Sequence, residues 1–387
     1  MTDAVVVGAG IGGLATAALL QRLGCRTSVI EQRAESVGLG AGILLQPNGL
    51  AVLDALGAID RLREGGTELR SLRLLDERLH VMGESRLPGG PSHGFGLVVS
   101  RHLLHQILLD IARSCGVEIH HDHRLTGVEG EVESPRPLVA DEHRPAVDLL
   151  VGADGQGSVV RGHVDPEGTT PAAGRAYVRA LVDWTCVEPL TGEYWTRRGI
   201  AGIFACGDDR SYWYCTATPA IERAMEKGDL GDLRKRVAAA HPPLIQAVNA
   251  LADTDQARID RVVDVQATKL YRGSTVLVGD AAHAMAPNLG QGANSALVDA
   301  GVLASELHRR SAVSEALAAY DTRRHEVVRK VQLDARRLAR VSHFTRGRRL
   351  RNRAVRLLPR SVLTAGMRRS QQVDLAAFRH ELSELPR

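Results

Sequence analysis

Gly8-Ala9-Gly10-Ile11-Gly12-Gly13 places glycine at the spacing G-x-G-x-x-G, after a short apolar run and before a helical one. Gly8 permits a tight turn, Gly10 lets the backbone approach a pyrophosphate, and Gly13 lets helix and strand pack closely. The helix that starts here offers free N–H groups and a positive dipole end to phosphate oxygens. Glu31 closes the next apolar run, at the spacing of an acid that accepts from a ribose 2′-hydroxyl. These residues predict dinucleotide binding and leave FAD and NAD both open.

Two later segments repeat the logic. DLLVGADG over 148–155 is followed by Ser158 and Arg161; VLVGDAAH over 276–283 is followed by Pro287 and Gly290-Gln291-Gly292-Ala293-Asn294. Each sets an acid, Asp154 or Asp280, just past a buried strand, where ligands bind in doubly wound sheets. Pro287 ends extended chain, and the small residues of 290–294 open a helix that a ligand can approach closely. Other groupings carry less. His120, His121 and His123 with Asp122 look metal-rich, but strand alternation sends His120 and His121 to opposite faces. No second cluster completes a site, so no metal is expected. Ser158 lacks the G-x-S-x-G elbow of a hydrolase, and His283 reads as structural.

The elements that must position these residues follow from periodicity. A strand over 4–7, a helix over 11–23 and a strand over 27–30 form a crossover unit of a parallel sheet. Helices are predicted over 47–56 and 101–115, the second with Leu104, Ile107, Leu108 and Ile111 on one face and Gly116 after its end. Strands follow over 117–120 and 148–152. From about 174 to 218 the pattern turns to short strands, including a hairpin of 203–206 with 211–215, and eight of the 13 aromatic residues fall between Tyr177 and Tyr214. After 259–265 a strand over 275–279 and a helix over 290–310 return to the first style, and the remainder reads as helix. The expected fold is α/β. A doubly wound, Rossmann-like nucleotide domain is formed by 1–161 and 259–324, with an antiparallel-sheet substrate domain inserted over 162–258 and C-terminal helices over 325–387.

Composition bounds the partners. The 387 residues are 44% hydrophobic and 24% charged, ordinary for a globular protein, and a net charge of +4 does not mark a nucleic-acid binder. The apolar run over 4–20 holds four glycines with no basic segment before it, so it is neither a signal peptide nor a membrane span. Five cysteines without a C-x-x-C pair fit a reducing cytoplasm. Between Asp334 and Asp374 lie twelve Arg and no acid. That stretch reads as helices lying against an acidic face, with an anionic partner or membrane surface as the alternative.

The glycine fingerprint, residues 42–56 (GILLQPNGLAVLDAL), Arg101 at the head of its helix, and the Asp154 and Asp280 segments together resemble the class A flavoprotein monooxygenases. That is the family of para-hydroxybenzoate and salicylate hydroxylases, and the match runs from residue 4 to about 324. The resemblance implies tightly held FAD, with NADH or NADPH as a transient reductant. It implies Glu31 at the adenosine ribose with Arg33 nearby, Leu125 offering backbone to the adenine, and Arg101 at the centre of FAD. Asp280 would meet the ribityl-side hydroxyls or the pyrophosphate, and Asp154 would be linked to FAD and to the nicotinamide donor. Pro287, Gly290, Gly292, Ala293 and Asn294 would lie beside the flavin, where N–H groups stabilise its reduced, negative form. The implied reaction passes one atom of O2, through a flavin C(4a)-hydroperoxide, to an aromatic or other electron-rich small molecule. A flavin dehydrogenase or reductase, and a non-catalytic FAD- or metabolite-binding protein, are the alternatives. A halogenase would carry W-x-W-x-I-P, which is absent.

For the substrate, alternation puts Tyr212 and Tyr214 on one strand face, expected to line the pocket, and Trp213 on the other. Arg179 resembles the family's aromatic-Arg-Gly element with Ala180 in place of the Gly, and Arg179 or Arg197 would grip a carboxylate. The expected assembly is a monomer or homodimer in the cytoplasm.

Overall fold

The Asp3–Val7 strand lies inside a six-stranded sheet, with Ala4, Val6 and Val7 buried. The computed structural model describes residues 1–34, 41–86, 96–140, 142–167 and 172–386. Strand order in this sheet is Tyr271–Arg272, Thr275–Leu277, Leu149–Gly152, Asp3–Val7, Arg26–Ile30, Glu118–His120. All pairings are parallel except the first, and Val5 stands opposite Ser28 on one side and Leu150 on the other. Such strands need cover on both faces, which their continuous apolar runs reflect.

Helix Ile11–Arg22 packs against helix Gly292–Arg309, so closely that a Cβ on Gly12 would lie 3.0 Å from the Cβ of Ala296. Gly292–Arg309 is buried from Asn294 to Glu306, as an apolar helix at the centre of a domain must be. Helix Arg101–Ser114 starts at Ser100, whose hydroxyl accepts the Leu103 N–H at 3.1 Å, and ends before Gly116 at φ +92°.

Beneath this helix layer sits a buried ionic cluster. Asp299 accepts from the Gly279 N–H at 2.8 Å, from His283 Nε2 at 2.5 Å and from Arg324 Nε at 2.6 Å. Burial alone would raise the Asp299 carboxyl, but His283 and Arg324 hold it below its ordinary value.

The second large sheet has seven strands in the order Ala257–Asp264, Ala172–Val182, Ser211–Thr216, Gly199–Ala205, Gly192–Thr196, Ser71–Asp76, Val81–Arg86. Its make-up departs from the sequence expectation at both ends. Ser71–Asp76 and Val81–Arg86, expected with the first nucleotide segment, join it through a parallel pairing of Glu193 with Leu74. Ala257–Asp264 joins it by pairing with Ala172–Val182, so the expected boundary at 258/259 falls inside a strand. The physical reason is that a sheet edge recruits any strand with unpaired N–H and C=O groups, however distant in sequence.

Helix Val313–Ser342 runs past both sheets, followed by Arg348–Arg356, Arg360–Ser370 and Leu375–Ser383. The arginine-rich part meets an acidic face: Arg348–Glu77 at 3.1 Å, Arg356–Asp76 at 2.6 Å, Arg360–Glu84 at 3.3 Å and Arg336–Asp264 at 2.9 Å. No helix among the described residues is long and apolar enough to cross a membrane.

Candidate active site

A cavity of about 740 Å³ lies between the two sheets. One end is walled by Gly10–Gly12, Arg101, Asp280, Pro287–Gly290, Gly292 and Ala293; the other by Tyr177, Glu193, Trp195, Tyr212 and Tyr214. The glycine loop is shaped for this. Gly8 has φ +104°, and a Cβ there would lie 2.5 Å from the Ala153 carbonyl oxygen. A Cβ on Gly13 would lie 1.9 Å from the Gly8 carbonyl oxygen. At Gly10 nothing lies within 4 Å of the same point, so the loop leaves open space where the helix presents its free N–H groups.

Glu31 sits behind that loop. Its carboxylate accepts from the Ala9 N–H at 2.8 Å and the Arg33 N–H at 2.9 Å, while the Arg33 side chain is exposed. Arg101 reaches the cavity with a buried Nε that has no hydrogen-bond partner. Burial and the Arg179 guanidinium lower its pKa, and Asp280 across the cavity opposes them. Asp280 opens the short helix Asp280–His283 after Gly279 at φ +61°, with its side chain exposed towards the cavity. The 3₁₀ turn Pro287–Leu289 and the left-handed Gly290 at φ +62° then lead into helix Gly292–Arg309, which starts two residues later than the sequence expectation. A buried Arg101 Nε without a partner, an open glycine loop and a helix N-terminus facing one space form a donor set for an elongated phosphate-bearing cofactor. FAD fits that chemistry.

The side chains of Asp154, Asn294 and Leu125, like those of Glu31 and Arg33, do not line the cavity. The Asp154 carboxylate accepts from Ser158 Oγ at 2.5 Å and from the Val159 and Val160 N–H groups at 2.7 and 3.3 Å. It accepts from the first N–H groups of the helix Val159–Val164, while its neighbours Ala153 and Gly155 line the cavity. Burial raises its pKa against those hydrogen bonds. Asn294 braces the scaffold: Oδ1 accepts from the Gln46 N–H at 2.9 Å, and Nδ2 donates to the Leu44 and Gly290 carbonyls at 3.1 and 2.8 Å. Its amide is spent on backbone groups that would otherwise be buried unpaired. Leu125 is packed in the core, where its strand Leu125–Glu131 pairs with Ser134–Val139, and it does not line the cavity.

On the sheet side, Tyr212 and Tyr214 line the cavity with ring centroids 5.7 Å apart, and Phe204 stacks on Tyr214 at 6.4 Å. Trp213 points the other way, fully buried in a separate core with Val178 and Ile203. Arg179 is at the cavity, held 3.6 Å from Asp260. Arg197 is not: it lies in the turn before Gly199–Ala205, exposed and paired with Glu77 at 3.3 Å. Tyr212 and Tyr214 share one strand face by alternation alone, whereas nothing local in the sequence ties Arg197 to the cavity.

Glu193 is the residue the sequence reading missed. Its carboxylate accepts from Tyr214 Oη at 2.8 Å and from Trp195 Nε1 at 3.0 Å, inside the cavity wall. Burial pushes its pKa up from 4.5 against those two hydrogen bonds. The available signal was a lone acid in the strand Gly192–Thr196, sharing a face with Trp195.

The family model described as FAD binding domain matches residues 1–335. Aurachin C monooxygenase/isomerase of Stigmatella aurantiaca is 30% identical over 334 residues, covering 83% of this chain and 85% of that protein. The 2-heptyl-3-hydroxy-4(1H)-quinolone synthase of Pseudomonas aeruginosa strain UCBPP-PA14 is 31% identical over 314 residues, covering 78% and 79%. Among solved structures, Klebsiella pneumoniae HpxO complexed with FAD and uric acid superposes with a TM-score of 0.82 at 25% identity, over 96% of each chain. The matched segment takes in both large sheets, the open glycine loop and the Asp280 turn, so the chain belongs to the FAD binding domain family, among the flavoprotein aromatic hydroxylases.

Proposed function

We propose that this protein is an FAD-dependent monooxygenase that uses NADH or NADPH and O2 to insert one oxygen atom into a largely apolar aromatic substrate. One observation carries the reading: a single cavity joins the glycine loop and helix N-terminus at one end to an aromatic sheet face at the other. One relative is named as the synthase of a hydroxyquinolone and another as a urate hydroxylase, which fits an aromatic substrate here.

When bound, FAD supplies the redox chemistry and the activation of oxygen. The chain's own residues do the rest. Gly10 would leave room for the pyrophosphate, and Arg101 and Asp280 would hold the centre of the cofactor. The N–H groups at the start of Gly292–Arg309 favour negative charge on the reduced ring. The rings of Tyr177, Phe204, Tyr212 and Tyr214 exclude water around the substrate. Tyr214 donates its proton to Glu193, so its oxygen is free to accept from an O–H or N–H of the substrate. Five free cysteines fit a reducing cytoplasm, and a monomer or homodimer fits a site built within one chain.

The test is a screen of phenols and quinolones for those that accelerate nicotinamide oxidation, with product mass recorded under labelled O2. Nicotinamide consumption that never yields a product one oxygen heavier would leave only the dehydrogenase reading. Asp280→Ala is expected to weaken FAD by about 1.5–3 kcal/mol, the worth of charged hydrogen bonds, read as lost yellow absorbance on dilution. Full FAD retention would displace Asp280 from the cofactor.

Glu193→Gln tests the substrate end. The Gln amide keeps the bond from Trp195 through its oxygen but must donate to Tyr214, turning the tyrosine proton into the cavity. Product per nicotinamide is expected to fall while nicotinamide is still consumed. A carboxyl whose folded pKa lies above its unfolded value contributes stability at low pH that is lost as pH rises through the folded value. Glu193→Gln is therefore expected to match the parent in stability below about pH 4 and to exceed it progressively at higher pH. A constant difference in unfolding midpoint across pH would refute this.

A further inference from the structure

The C-terminal helices present a second surface that the cavity does not use. Helix Arg348–Arg356 turns Arg351 and Val355 inwards, while Arg349, Leu350, Arg353 and the following Leu357 are exposed. At helical spacing these four fall within an arc of about 100°. Leu350 is 76% exposed and Leu357 83%, and Phe344 and Leu358 near them in the chain are also exposed. Arg346, Arg349 and Arg353 have no acidic partner among the described residues, unlike Arg348, Arg356 and Arg360, which are paired to the acidic face. Large exposed apolar groups interleaved with unpaired cations form the pattern of a helix lying in a lipid interface.

We propose that this face docks peripherally on an anionic phospholipid bilayer. Charge complementarity selects that occupant. A second copy of the chain across a two-fold axis would set like charges against like, because an isologous contact pairs a patch with itself. A nucleic acid would satisfy the arginines but leave the leucines in water. The next helix, Arg360–Ser370, reaches the cavity. Val362, Gly366 and Arg369 of helix Arg360–Ser370 are exposed and line the cavity, with Leu363 and Met367 lining it further. An apolar substrate dissolved in the bilayer would then enter beside the docked helices. That consequence rests on the monooxygenase reading, whereas the docking itself does not.

The experiment is flotation of the FAD-loaded protein with phosphatidylcholine vesicles, with and without phosphatidylglycerol, over a range of salt. Binding is expected only to the anionic vesicles and is expected to weaken as salt rises. Arg349→Gln with Arg353→Gln should weaken it roughly 30-fold, the loss of two surface cations. Leu350→Ser with Leu357→Ser should weaken it at every salt concentration. All four positions are exposed, so flavin content and unfolding midpoint should stay at the parental values and show that the variants fold. Equal binding to neutral vesicles, or none to anionic ones, overturns the proposal. So does a concentration-dependent dimer, or DNA binding at physiological salt, that the same variants abolish without any vesicle binding. Vesicle binding without substrate-dependent oxygenation would leave docking intact and sink only the enzymatic reading.

Discussion

Asp299→Ala is expected to lower the stability of the folded protein by about 3–5 kcal/mol, the penalty for leaving a buried charge without its partner. Arg324 is only 1% exposed, and its remaining side-chain acceptor would be Gln372 Oε1 at 2.7 Å. The same substitution strips the acceptor from the Gly279 N–H, at the turn that aims Asp280 into the cavity. FAD affinity is therefore expected to fall with stability. A second variant, Asp299→Leu with Arg324→Met, separates the two effects. Apolar replacement of the whole pair removes the unpaired charge and should recover much of the stability, while the Gly279 turn stays without its acceptor. Urea unfolding and flavin absorbance read them independently. Equal destabilisation by the single and double variants would show that lost packing, and not the orphaned guanidinium, sets the cost. The pH dependence has a sign. The folded Asp299 carboxyl lies below its ordinary 3.8, so its contribution is present above that value and is lost as pH falls through the depressed one. The acid limb of the parent should be steeper than that of the double variant.

Gly13→Ala and Gly10→Ala are expected to fail in different ways, although both change one glycine of one loop. At Gly13 the added carbon meets the Gly8 carbonyl oxygen at 1.9 Å, and backbone cannot swing aside as a side chain can. Strand and helix must separate at a cost of about 3 kcal/mol, the upper part of the usual overpacking range. At Gly10 the carbon meets nothing within 4 Å. That variant should unfold at the midpoint of the flavin-free parent yet hold no flavin, because its methyl occupies the space a pyrophosphate needs. Thermal unfolding beside flavin content measures both. A Gly10→Ala protein that is fully yellow would put the phosphates elsewhere.

The contrast explains what could be read from the sequence. The glycine loop, the first crossover and the Arg101–Ser114 helix are local: their turn residues, caps and apolar spacing lie within one short stretch. Tyr212 and Tyr214 were legible for the same reason, since alternation within one strand separates them from Trp213. Asp154 and Asn294 match a cofactor role in residue type and position, and no local pattern shows that their hydrogen-bonding capacity goes to nearby backbone. Arg197 is paired instead with Glu77, which arrives on a loop far away in sequence. Glu193 was missed because its meaning depends on Tyr214 two strands over, and no local pattern announces a carboxyl buried against a ring hydroxyl.

The interleaved sheets also dictate an order of assembly. Leu149–Gly152 is an apolar strand whose outer neighbour, Thr275–Leu277, lies beyond most of the second sheet in the chain. During synthesis the first four strands of the nucleotide sheet can pair early, and the Leu149–Gly152 edge then stays uncovered until the whole insertion has emerged. The seven-stranded sheet waits too, because Ala257–Asp264 is its last strand. Contacts this distant close slowly, and an open apolar edge is a template for pairing with other nascent chains. Production of this protein should therefore be governed by elongation rate and chaperone supply more than by the stability of the finished fold.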